Sequence, residues 1–344
     1  MSVETRLSPA TTRIFGMAAA AAASLIVLVI ADPGVLEAWL LGFILLAGIS
    51  AGALALLLAG RILGEVWLQP IRDELESIAG LMGMVAILTI PVLLHPEALY
   101  PWAAGAPAAH RDWLDPQFFL LRGAVYLAIW IAVASLALSR LSQPAASGIG
   151  LVILIPTISL AVLDWLASRE PEWISGLYGP AFAVSQLLAA MAFGLLVTLV
   201  RPGDPARGQA ESLRIALLTL ALLTGWAWFT QFLIVWMADL PPESAWYLSR
   251  AGAWLVLQAV AIAGLLAAIL LLIAPHPGHP RLLAISGLLL VQHFAHLIWL
   301  IRPTALHAVP ALVDVAVLAA LVGLWLLFVA LELARRPNIA AQTL

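Results

Sequence analysis

Residues 35–60 read VLEAWLLGFILLAGISAGALALLLAG. Only Glu37 carries a charge, and the run exceeds the roughly 20 residues that take an α-helix across a bilayer. Windows of the same kind lie at 14–31, 78–95, 117–139, 146–167, 179–200, 212–238, 247–274, 281–301 and 307–333. In hydrocarbon each must satisfy its own backbone polar groups, so the predicted fold is all-α, a polytopic membrane protein of about ten transmembrane helices.

Composition agrees. Of 344 residues, 63% are hydrophobic and 10% charged, against roughly 25% charged in soluble domains, and mean hydropathy is +1.05. Cysteine is absent, which excludes disulfides, thiol chemistry and iron–sulfur ligation by this chain. All 16 basic residues are arginine, so no Schiff-base or P-loop lysine exists. The net charge of −3, without a basic tract, leaves no footprint for nucleic acid.

The alanine-rich window at 14–31 follows Arg6 and Arg13 and lacks a clean small-x-small cleavage site, so it reads as a retained helix rather than a signal peptide. Arg6, Arg13, Arg61, Arg72, Arg140, Arg201, Arg207, Arg214, Arg281, Arg335 and Arg336 fall on one side of the predicted spans. Only Arg111, Arg169, Arg250 and Arg302 fall on the other. The bias predicts both termini in the cytoplasm. Trp102, Trp113, Trp173 and Trp246 then lie in or beside outer connections, as an interfacial belt requires. The stretch GEVWLQPIRDELESIAG (64–80) is too charged to span and reads as amphipathic, lying at the inner surface before the third helix.

FLLRGAVYLAIW (119–130) and YLSRAGAWLVLQ (247–258) echo each other. Each sets an arginine at an outer helix start, with aromatic or polar residues four and eight positions on: Arg122, Tyr126, Trp130 and Arg250, Trp254, Gln258. The offset of four helices predicts a parallel repeat. Its units would be an N-terminal segment with the first helix (1–34), a first four-helix bundle (35–167, helices two to five), a second (168–301, helices six to nine), and a last helix with a cytoplasmic tail (302–344).

Ionisable residues inside a membrane are costly and point to function. Glu37, Arg122, Asp164, Arg250, His293, His296 and Asp314 lie in or at the ends of spans, all toward the outer half. This asymmetry favours an outward-facing polar pocket over a complete proton wire. In LLLVQHFAHLIWLIRP (288–303) the spacing of His293 and His296 puts both rings on one helical face. They cannot sandwich one haem. No Glu-x-x-His pattern accompanies them, so no metal site is expected. A proton relay or quinone pocket suits them better. Histidine donates and accepts near neutral pH, and Asp164 or Asp314 would complete an acid–base pair. The bland alternative is an Arg122–Asp164 ion pair and hydrogen-bonded histidines that hold the helices together. Asp239, Glu243, Glu170 and Glu172 read as solvated or docking acids in outer loops.

FFLLRGAVYLAIW (118–130), LDWLASREPEWISGLYG (163–179) and TQFLIVWMADLPPESAWYLSR (230–250) resemble the NrfD/polysulfide-reductase-like membrane subunits, and among them the second such subunit of alternative complex III. With the order and number of helices, the resemblance covers most of 78–303. It implies a bacterial inner-membrane subunit of a quinol:cytochrome c oxidoreductase, built as two four-helix bundles, with no redox cofactor of its own and a quinone or quinol as ligand. The partners it implies are a homologous NrfD-like subunit, an Fe–S/molybdopterin-like peripheral subunit and c-type cytochromes, which would carry the haem and iron–sulfur centres. In the ninth helix the family tends to place an arginine and an aspartate where this chain has His293 and His296. The competing classes are a secondary transporter, which would show inverted repeats and broken helices near the midplane, and a purely structural membrane anchor.

Overall fold

A helix that begins at proline and ends at glycine sets the centre of the molecule. In the computed structural model, which describes residues 32–64, 66–106, 112–139, 143–173, 175–201 and 209–335, α1 runs Pro33–Leu63. Asp32 caps it by accepting from the Gly34 N–H at 2.8 Å, and proline fits the first turn, where the N–H needs no partner. Gly64 closes the other end at φ 84°, the left-handed region that glycine enters without penalty. The predicted helix at 14–31, Arg6, Arg13, Arg111, Arg140, Arg207 and Arg336 lie outside the described residues.

Among the described residues the regular structure is all helix, joined by turns and loops. After α1 come α2 (Arg72–Gly80), α3 (Met82–Leu94), α4 (Pro116–Leu138), α5 (Pro144–Trp165), α6 (Tyr178–Val200), α7 (Ala210–Ala238), the short α8 (Pro241–Leu248), α9 (Leu255–Ile273), α10 (His279–Ile301) and α11 (Ala311–Arg335). Among the described residues eight helical stretches are long and apolar enough to cross a membrane, or nine if α2 and α3 form one span bent by 41°. The predicted spans from 35–60 to 307–333 all fall on helices.

Two of them differ in shape from the expectation. The span at 78–95 is broken at Leu81, and the charged stretch before it is folded into the protein: Glu74, Leu75, Ser77 and Ile78 on α2 are buried, with α2 packed on α1, α6 and α11. The span at 247–274 starts only after a turn at 249–251 and a 3-10 turn at Gly252–Trp254, where Gly252 takes φ 66°.

Packing follows a simple circuit. α1 lies against α3, α3 against α4, α4 against α5, and α5 against α1; α6 lies against α7, α7 against α9, α9 against α10, and α10 against α6. α1 and α6 join the two circuits, and α11 closes on α1 and α2.

The contact between α1 and α6 is close because of Gly48 and Gly52, a glycine pair four residues apart. A Cβ on Gly52 would stand 2.3 Å from the Gln186 backbone oxygen, and one on Gly48 would stand 2.0 Å from the Gln186 side-chain oxygen. Backbone cannot move aside and a glutamine tip can. Gly52→Ala is therefore expected to lower the thermal unfolding midpoint in detergent well beyond Gly48→Ala, with a cost of about 1–3 kcal/mol from overpacking. Equal midpoints for the two variants would rule out this view of the helix crossing.

Candidate functional site

The connection from the end of α5 into α6, DWLASREPEW (164–173), carries four charges; Glu172 is exposed, and the other three are each held by a different part of the chain. Asp164 receives a bidentate pair from Arg122 on α4: Nε to Oδ2 at 2.9 Å and one terminal nitrogen to Oδ1 at 2.8 Å. The Tyr126 hydroxyl donates to Oδ2 and the Trp113 indole to Oδ1, both at 2.9 Å. The Arg122 guanidinium also lies over the Trp113 and Phe118 rings, 4.1 and 4.3 Å from their centroids.

Arg169, 1% exposed at its side chain, donates to both oxygens of the fully buried Glu37 on α1 at 3.0 and 2.9 Å. It also reaches the Thr304 hydroxyl at 2.9 Å and carbonyl at 2.8 Å. Glu37 further accepts from the Leu306 N–H at 2.8 Å, and its carbonyl accepts from Arg302, which is paired with Asp314 on α11. The third charge, Glu170, meets Arg250 at 2.6 Å. Arg250 lies over Trp246 at 3.7 Å and donates to the Trp246 carbonyl at 2.8 Å. In this loop layer the Tyr100 hydroxyl, donating to the Trp165 carbonyl at 3.2 Å, has its pKa pushed well above the ordinary tyrosine value by burial.

The second circuit of helices holds a different kind of site. His293 and His296 on α10 are buried, at 2% and 7% exposure. His296 Nδ1 stands 3.1 Å from Gln258 Oε1 on α9. The His296 ring meets Trp228 edge-on at 4.5 Å between centroids and stacks on Trp299 at 5.6 Å. Aromatic contacts continue from Trp299 to Trp246, Trp173 and Tyr178 and return to Trp228, closing a ring of side chains drawn from α6, α7, α8, α10 and the connection. The Nε2 atoms of both histidines, the Trp228 indole nitrogen and Gln292 Nε2 are buried without a hydrogen-bond partner.

These contacts rearrange the predicted site. Arg122, Tyr126 and Asp164 come together. Arg250 lies in the turn before α9 rather than on one helix with Gln258, so the echo of the two arginines holds in their partners, each stacked on tryptophan and paired with an acid, and not in their helical setting. The expected pairing of a histidine with Asp164 or Asp314 does not form: Arg122, Tyr126 and Trp113 occupy Asp164, and Arg302 occupies Asp314. Gln258 is the side chain that touches His296. Glu170 is not a free loop acid but an ion-pair partner. At the opposite ends of the helices the charge is not negligible either, since Glu74 is buried and paired with Arg201 at 2.6 Å.

Glu37, Arg169 and Arg302 form a network that sequence reasoning did not assemble. Glu37 was visible as the lone charge in its run. The arginines flank spans and read as orientation signals. The described residues contain no group of three or more His, Cys, Asp or Glu able to hold a metal. A small cavity of ≈ 20 Å³ lies among α1, α4, α5 and α6, lined by Trp130, Trp165 and apolar side chains, with no residue from α10.

No family model matches this chain, and no curated protein matches it.

Breaking a buried ion pair by removing one partner costs about 3–5 kcal/mol, whereas removing both leaves no unpaired charge. Glu37→Leu and Arg169→Leu are each expected to lower the unfolding midpoint strongly, and the double variant to lose clearly less than the sum. Strict additivity in a double-mutant cycle would refute the pairing.

Proposed function

We propose that the chain is an integral membrane subunit of a quinol-oxidising respiratory complex of the NrfD/polysulfide-reductase-like kind, with two four-helix bundles and both termini in the cytoplasm. It holds no redox cofactor, and electrons pass to haem and iron–sulfur centres on partner subunits. The observation that carries this reading is His296: buried, fixed at Nδ1 by Gln258, with its other nitrogen free of any protein partner, and with His293 on the same helical face. A ring so placed accepts a proton at one nitrogen while the other is held. The three stretches that carry the resemblance support it by their convergence, since Arg122, Asp164, Arg169, Glu170, Trp246 and Arg250 meet through one connection. The two closed circuits of helix contacts support the two-bundle arrangement.

Proton relay is preferred to direct quinol oxidation at the Arg122–Asp164 site. Both Asp164 oxygens there are already occupied by donors, and the neighbouring cavity of ≈ 20 Å³ has no room for a quinone ring. The same closed pairs favour a second reading, a structural anchor for peripheral redox subunits.

Gentle purification from the native membrane, with mass spectrometry and a dithionite-reduced spectrum, is expected to yield c-type haem and an iron–sulfur protein in stoichiometric amount. A colourless chain purifying alone would exclude the respiratory reading. In the assembled complex His296→Leu is expected to reduce quinol turnover at least tenfold, while full turnover in both His296→Leu and Asp164→Asn would establish the anchor. Because the native chain has no cysteine, single cysteines at Glu97, Glu243 and Leu306 should react with an impermeant maleimide from the outer face, and one at Trp67 only after the membrane is opened. Labelling of all four from one side would overturn the topology.

A further inference from the structure

We infer that Gln258 is a positioning residue that fixes His296 as its Nδ1–H tautomer, leaving the Nε2 lone pair, in a ring packed against Trp228 with its own unpaired indole N–H, as a site for one hydroxyl group. An amide oxygen only accepts, so the 3.1 Å contact between Gln258 Oε1 and His296 Nδ1 requires the proton on Nδ1. Nε2 of a neutral ring is then an acceptor, and it has no partner. Trp228 offers the complement. Its ring touches His296 at 4.5 Å between centroids, and its nitrogen, which can only donate, is buried without an acceptor.

One unmet acceptor and one unmet donor in touching rings match a hydroxyl, which donates with its hydrogen and accepts with its oxygen. Burying a polar atom without a partner is costly, so two such atoms on rings in contact mark a place where a ligand group completes the structure. The hydroxyl belongs either to a quinol or to a bound water. Trp299 also stacks on His296, with ring centroids 5.6 Å apart, and restricts rotation of the imidazole.

The arrangement deepens the relay reading, on which its function rests, but the tautomer does not depend on that reading. A chain that purified without cytochromes would end the respiratory proposal and leave the following measurement unaffected. The full chain, labelled with [15N]histidine and reconstituted in lipid stripped of endogenous quinone, is examined by solid-state NMR, and the His296 signals are assigned by their loss in His296→Asn. Nδ1 is expected to be protonated and Nε2 bare. Gln258→Leu should reverse the two or mix them, and Gln258→Glu, which keeps an acceptor, should restore a protonated Nδ1. A protonated Nε2 in the wild type, or no change in Gln258→Leu, would overturn the assignment.

A short-chain ubiquinol analogue is then added. A shift of the Nε2 signal that is absent in Trp228→Phe identifies a quinol hydroxyl. A cross-peak between Nε2 and water protons, unmoved by the analogue, identifies a water. Neither response would refute the hydroxyl site.

Discussion

A carboxylate with no exposed surface needs a cation within reach, and in this molecule that requirement falls first on Glu37. Arg169 meets it from the connection that leads from α5 to α6, and Arg302, just past α10, holds the same residue by donating to the Glu37 backbone carbonyl. The same connection supplies Asp164 to Arg122 and Glu170 to Arg250. A stretch of a few residues thus ties α1, α4, the turn before α9 and the α10–α11 junction into one layer. The long helices supply the apolar bulk, while this layer settles which of their ends stand together.

The two halves of the molecule use the same device to different ends. Each has an arginine stacked on tryptophan and paired with an acid. In the first half the tyrosine four residues beyond the arginine adds a further donor to the acid, so every nitrogen of the Arg122 guanidinium and both Asp164 oxygens have partners. In the second half Gln258 reaches a histidine instead, and the matching is incomplete. Closed networks stabilise and specify packing, whereas unmet polar atoms in a low-dielectric interior mark where chemistry or a ligand has to enter.

The helices were legible because long apolar runs admit little else in hydrocarbon, and prolines at 33, 116, 144 and 241 sit in first helical turns as their missing N–H allows. The break at Leu81 was not legible, since nothing in MGMVAILTIPVLL announces where a helix will bend against its neighbours. The site was legible by residue type and not by wiring. Arg122 and Asp164 were paired in the reading that made them structural, because both lie near the ends of neighbouring helices, α4 and α5; Tyr126 was noted only in the echo of the two arginine segments. Asp164 was assigned to a histidine because sequence distance says nothing about which acid an arginine has already taken. Glu170, next to Arg169 in a polar loop, looked solvated until tertiary packing brought Arg250 to it.

The separation of Glu37 from Arg169 along the chain, 132 residues, also sets an order of events during synthesis. At typical elongation rates of 5–20 residues per second, about 7–26 s pass between the emergence of the two. Throughout that interval α1 is present in the nascent chain with an acid whose partner does not yet exist. Glu37 is only about 6 Å from the start of its helix, at 1.5 Å per residue, so the waiting acid stands near the end of α1 and not in its apolar middle. The ion pair at the centre of the molecule therefore closes only after the α5–α6 connection has been made.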